Sequence, residues 1–294
     1  MSFEPIWGAP IAWYLFLAGL GGGAFVTSAF LRWRHPEAVN MRKAGHIIAP
    51  VVVMIGLVLL MLDAEAGLHN PLRFALLLHN PFSVMTWGVV FLAAFMVISL
   101  IVLLLDCLKK RVPAWLEVAG VVFAVCVAMY TGALLGVCKT FPLWNNALLP
   151  ILFLVSAMSA GAASVLLVGA LRFGGEFNET GLLKKTHYYL PLIELLLVAS
   201  LCFITSYGST AGFDSVMSLI AGDWALWFWL GLVLVGLVIP AAIDTWLLFF
   251  ASKEFEESRK AQLIAAGASV GVLVGGFLLR YLVVMAALPV VFVM

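Results

Sequence analysis

The chain has 294 residues, 64% of them hydrophobic, with only 16 Lys or Arg, 15 Asp or Glu and a net charge of +1. Soluble domains average about 45–50% apolar and about 25% charged residues, so this composition excludes a protein that covers itself with polar surface and assigns the chain to a lipid bilayer. A large extramembrane domain is excluded because each spanning helix takes roughly 20 apolar residues, and nucleic-acid binding is excluded because no basic run supplies an electrostatic footprint.

Apolar runs bounded by charge, Pro or Gly fall at 11–31, 45–66, 82–105, 115–138, 147–172, 188–208, 224–250 and 262–290. They predict an all-α integral membrane protein with eight transmembrane helices. The N-terminal stretch lacks the basic segment of a cleavable signal peptide and runs into a full-length apolar span ending in Arg32 and Arg34, so the first helix is expected to be retained. Thirteen of the 16 basic residues lie in the odd-numbered loops, Arg73 and Lys139 lie in the even ones, and Arg280 lies inside span eight. The positive-inside rule then makes the odd loops cytoplasmic and both termini periplasmic, in a multi-pass protein of the cytoplasmic (inner) membrane.

The halves 1–140 and 141–294 read as two similar four-helix bundles. Leu15-Phe16-Leu17 followed by Gly21-Gly22-Gly23 in span one matches Leu152-Phe153-Leu154 followed by Ser159 to Ala163 in span five. His46-x-x-x-Pro50 and His187-x-x-x-Pro191 open spans two and six at a spacing of 141. The Gly and Ala clusters provide small faces on which helices pack closely.

Charge inside a bilayer costs roughly 2.5–3.5 kcal/mol on insertion scales, so the polar residues of the spans mark function or pairing. One group is expected near the outer face: Tyr14, Asp63, Glu65, His69, His79, Tyr130, Lys139 and Arg280. A second lies toward the cytoplasm: His46, Arg172, Glu194 and Asp244. Desolvation favours the protonated carboxyl and a nearby cation the ionised one, so Glu194 and Asp244 are candidate proton carriers, or else structural partners of Arg172.

Metal chemistry has little support. Cys107, Cys126, Cys138 and Cys202 are scattered without a C-x-x-C pair, which argues against an iron–sulfur cluster or a zinc site in this chain. A b-type haem needs two axial histidines within spans, and only His46 is so placed, since His35, His69, His79 and His187 read as lying in or beside loops. A quinone headgroup fits the outer cluster, with Tyr130 holding one oxygen and Asp63, Glu65 or His69 taking the proton. The reading from another class is an ion-coupled secondary transporter, and a third is a pure anchor for a peripheral enzyme.

Pro10-Ile11-Ala12-Trp13-Tyr14-Leu15-Phe16-Leu17-Ala18-Gly19, Tyr130-Thr131-Gly132-x-Leu134-Leu135, Trp144-Asn145-Asn146-x-Leu148-Leu149-Pro150 and Gly275-Gly276-x-x-x-Arg280 run from one end of the chain to the other. In these segments the chain resembles the NrfD family, integral-membrane subunits of polysulfide reductase, tetrathionate reductase and cytochrome c nitrite reductase systems. The resemblance implies a subunit that exchanges electrons between menaquinol or ubiquinol and a four-cluster iron–sulfur protein at the outer face, and through it a molybdopterin enzyme or a multihaem cytochrome. It also implies that Tyr130 contacts the quinone, and Tyr14, Lys139 and Arg280, expected at the same depth, are the further candidates to bind it. Tyr14 falls where one family member has an imidazole; an amide three residues earlier in that member is Ile11 here. Asp63 and Glu65, with His46, Arg172, Glu194 and Asp244, resemble positions suggested to conduct protons.

Overall fold

The computed structural model describes residues 7–63, 79–80, 82–256 and 258–290, with backbone only at 253 and 256. Eight helices are long and apolar enough to cross a membrane: α1 (Ala9–Arg34), α2 (Val39–Asp63), α3 (Val84–Cys107), α4 (Ala114–Gly136), α5 (Leu148–Arg172), α7 (Gly181–Gly208), α9 (Trp227–Phe250) and α11 (Arg259–Met285). Among the described residues three short helices connect them: α6 (Gly174–Glu179), α8 (Thr210–Ile220) and α10 (Lys253–Glu256). The protein is thus all-α and multi-pass in the membrane, as its composition requires.

α1 and α5 form the centre. α1 packs on α2, α4, α5 and α11, and α5 packs on α1, α2, α4, α7 and α11. Their crossing is made by the two small-residue clusters: a Cβ on Gly23 would overlap the backbone of Ala157, and a Cβ on Gly161 would overlap the backbone of Gly23. Only glycine permits that approach, which substitutes backbone contact for the hydrophobic drive that lipid does not supply. Gly23 and Gly161, 138 positions apart, meet each other. At the rim, α3 turns Val97, Leu100, Ile101 and Leu104 outward, an apolar face suited to lipid chains and unsuited to water.

Each His-x-x-x-Pro motif has a local consequence. Pro50 and Pro191 lie inside α2 and α7, where each lacks the N–H that would bond the carbonyl four residues earlier. Those carbonyls belong to His46 and His187. The helices are therefore loosened at the turns that carry the two histidines. In α9 the backbone widens to i→i+5 turns over Trp227–Val238 and Trp246–Phe250, with an α-helical stretch, Ile239–Thr245, between them.

The connections are tied at both ends of the bundle. The Glu176 carboxylate of α6 accepts from the backbone N–H groups of Asn40 and Met41 at 2.9 Å each, placing an acid at the positive end of α2. At the opposite end, Trp144 Nε1 donates to the Val283 carbonyl at 2.7 Å, and Trp7 stacks on the Trp144 ring with centroids 5.2 Å apart.

Candidate quinone cavity and buried polar clusters

A cavity of about 450 Å³ lies among α1, α2, α3 and α4, at the end of the bundle where α1 begins. Its walls are Ile11, Leu57, Leu60, Leu92, Met96 and similar residues, and its polar groups are the phenols of Tyr14 and Tyr130. Both tyrosines are buried, at 2% and 8% exposure, and they are near enough to interact electrostatically. Gly88 of α3 makes the room: a Cβ there would overlap the Tyr130 ring. The site combines apolar walls with two convergent hydroxyl groups, the usual make-up of a small-molecule pocket.

Deeper in the bundle, Arg280 of α11 is fully buried. Its guanidinium donates to Ser156 Oγ at 3.0 Å, to the Gly276 carbonyl at 2.8 Å and to the Phe153 carbonyl at 3.2 Å, and it lies 5.0 Å from the Phe153 ring centroid. Glu194 of α7, 1% exposed, is near enough to the same serine and to Arg280 to interact with both. Ser156 therefore adjoins a buried cation and a buried carboxyl from different helices. Arg280 Nε and Glu194 Oε1 have no hydrogen-bond partner among the described residues.

Two histidine–carboxylate pairs lie toward the other end. His46 Nδ1 of α2 is 2.5 Å from Asp106 Oδ2 of α3, and His187 Nδ1 of α7 is 2.7 Å from Asp244 Oδ2 of α9. Asp106 and Asp244 are 138 residues apart, the spacing of Gly23 and Gly161. The same pairing thus recurs between the second and third spans of each half. Beside the first pair, the buried Glu117 of α4 accepts from Arg32 at 3.1 Å and from Trp33 Nε1 at 3.2 Å.

A family model described as Polysulphide reductase, NrfD matches residues 1–292, the length of the bundle and all of these groups. The chain belongs to the NrfD family. It is 36% identical to one of the chains of polysulfide reductase from Wolinella succinogenes, with 81% of this sequence and 83% of that protein covered. It is 30% identical to the protein NrfD of Escherichia coli, over 96% and 94% of the two sequences. A selenate reductase subunit of Mesobacillus selenatarsenatis is 24% identical over 96% of this sequence and 74% of its own length.

In this member of the family the residues expected at the outer cluster separate. Tyr14 and Tyr130 share one cavity, as their common depth predicts. Arg280 does not line it but binds Ser156 in the interior, because its side chain points into the α5–α11 contact. Lys139 follows α4 and Asp63 ends α2; both are exposed, as is His79, and none of the three lines the cavity. Glu65 and His69 lie outside the described residues.

The inner cluster also regroups. Arg172 is exposed and pairs with neither Glu194 nor Asp244. Glu194 lies in the middle of α7, not two turns from its end, because that helix starts at Gly181 and not near residue 188. His187, read as lying beside a loop, is inside α7 and 2% exposed for the same reason. Asp106 and Glu117 escape the sequence reading because each stands near a predicted span end; the 138-residue offset from Asp106 to Asp244 is the signal that identifies the first. Among the described residues no group of three or more His, Cys, Asp or Glu is gathered to hold a metal, and the four cysteines are free.

Proposed function

We propose that this protein is the quinol-binding membrane subunit of a respiratory oxidoreductase complex, exchanging electrons between menaquinol or ubiquinol and an iron–sulfur partner at the periplasmic face. The observation that carries this reading is the apolar cavity with the Tyr14 and Tyr130 hydroxyls in its wall. The relatives named as parts of polysulfide and selenate reductases support it, since both belong to multi-chain reductases.

The residues present suit a quinone. Leucine and methionine side chains suit the isoprenoid tail, two phenols can donate to the ring oxygens, and Gly88 leaves a gap against Tyr130 that any other side chain would fill. When bound, the quinol supplies electrons and protons together. Tyr130 and Tyr14 hold and orient the headgroup, while the surrounding apolar walls keep water from it. Asp63, at the end of α2, is the described carboxylate proposed to receive protons there, a role shared in this reading with Glu65 and His69 beyond the described residues, and Lys139 is proposed to lie near the surface on which the partner docks. For protons crossing from the far side, the buried Glu194, beside Ser156 and Arg280, is the carrier best placed in the interior, with the His46 and Asp244 pairs beyond it.

Tyr130→Phe tests the site. It should lower quinol-dependent turnover of the purified complex about tenfold through loss of one hydrogen bond, while turnover of the partner enzyme with an artificial donor stays at the wild-type rate. Unchanged quinol turnover removes Tyr130 from the site. Glu194→Gln should slow turnover only if protons cross the interior, and a wild-type rate sinks that path.

A further inference from the structure

Where α2 and α3 meet at the end opposite the tyrosines, a second cavity of about 500 Å³ is lined by Arg32, Arg42, Lys43, Lys109, Lys110 and Arg111, together with the His46–Asp106 pair. Arg32 is tied to Glu117, and the nearer oxygen of Asp106 is taken by His46. The other five cations form no salt bridge among the described residues. Arg42 Nε is buried without a hydrogen-bond partner there.

Topology alone would explain basic residues in this loop but not their convergence. The second half brings one basic residue to its pair: Lys184 lies over the Phe177 ring beside His187 and Asp244, while Arg172, Lys185 and Lys260 do not line that space and Arg259 caps the carbonyls of Ala170 and Leu171. The space around its His187–Asp244 pair is only about 30 Å³, closed by Leu166, Phe177 and Leu247. A further sign is the backbone of Lys109, at φ 54°, the left-handed position just past α3 where glycine is the unstrained choice. A lysine held there at a conformational cost points its charge to a use.

We infer that this cavity binds a phosphate group, supplied by the headgroup of an anionic phospholipid. Its position at a helix end of the bundle is the headgroup level of the bilayer, and five unpaired cations around 500 Å³ offer both the charge and the room. The inference is independent of the quinol reading.

The test is native mass spectrometry of the full-length protein in a neutral detergent, titrated separately with phosphatidylglycerol, phosphatidylcholine and inorganic phosphate. Phosphatidylglycerol should bind about tenfold more tightly than phosphatidylcholine, and Arg42→Gln/Lys43→Gln should remove that preference, since each basic residue near a membrane surface contributes on the order of a fivefold gain. Lys185→Gln/Lys260→Gln, with the same loss of charge, should leave it intact. Lys109→Gly should weaken phosphatidylglycerol binding while raising the thermal unfolding midpoint, which separates loss of the site from loss of the fold. Displacement of the lipid by millimolar phosphate supports the same site with a soluble source. The inference is overturned if neither phosphatidylglycerol nor phosphate binds in preference to phosphatidylcholine, if both double variants lose affinity equally, or if Lys109→Gly binds as wild type.

Discussion

The two halves of the protein carry the same histidine–carboxylate pair between their second and third spans, and they treat it differently. In the first half His46 and Asp106 open onto a basic cavity of about 500 Å³, and a second cavity with Tyr14 and Tyr130 opens at the other end of the same four helices. In the second half His187 and Asp244 are enclosed by Phe177 and Leu247. A 440 Å³ cavity near α7, α8 and α9 has the exposed Tyr207 and Ser206 at its polar edge in place of two buried phenols. The first half thus has polar groups in the cavities at both of its ends, whereas the second has one mostly apolar cavity, a closely packed histidine pair and the buried Arg280. The same helical frame therefore leaves open space or packs closely according to which side chains fill it.

The largest test of that contrast is Arg280→Ala. Removing the buried guanidinium strips Ser156 Oγ and the Phe153 carbonyl of their donor and leaves a cavity, which together should cost about 2–5 kcal/mol, read as a fall in unfolding stability in detergent. The exposed Lys110→Ala on the open half should shift it by no more than about 0.5 kcal/mol. Equal effects would end the idea of an open and a packed half.

Next in size, His187→Leu leaves the Asp244 carboxylate enclosed with nothing of its former partner and should cost about 1–3 kcal/mol. His46→Leu should cost less, because Asp106 keeps an open cavity and the charges of Arg42 and Lys43 nearby. Unfolding midpoints measured side by side decide it, and a larger loss for His46→Leu would reverse the assignment.

Gly88→Ala presses a methyl group into the Tyr130 ring and should cost about 1–2 kcal/mol with a marked fall in quinol turnover. Gly231→Ala meets only the tip of Leu278, which can turn aside, so stability and turnover should stay near wild type. Tyr130→Phe is read in turnover and not in stability: its about tenfold loss corresponds to roughly 1.4 kcal/mol in the activation barrier. Tyr207→Phe in the second half, 81% exposed, should leave turnover unchanged.

Much of this was legible before any fold was known. Spans are set by runs of apolar residues that have no alternative in lipid, so their number and order follow from composition, and the observed helix ends depart from the expected spans most at the starts of α7 and α2, where more polar segments, 181–186 and 39–44, extend the helices beyond their apolar parts. Tyr14 and Tyr130 were legible as a pair because depth follows from position along a span. The partners of Arg280, Glu194 and Asp244 were not. Depth says how far along a helix a group lies, whereas pairing depends on which way the helix is turned and where it begins.

By itself, then, the sequence determined a membrane protein of eight helices, two His-x-x-x-Pro motifs and two small-residue clusters at matching spacings, and the common level of the two tyrosines. Only the tertiary structure decided that Arg280 meets Ser156 and Glu194 and not the tyrosine cavity, that Asp106 and Asp244 answer the two histidines, and that the basic loop residues of one half converge while most of those of the other spread. The physical reason lies in the helix crossing. Gly23 against Gly161 sets how closely α1 and α5 approach, and that approach fixes the rotation and height at which every polar side chain on the surrounding helices finds, or lacks, a partner.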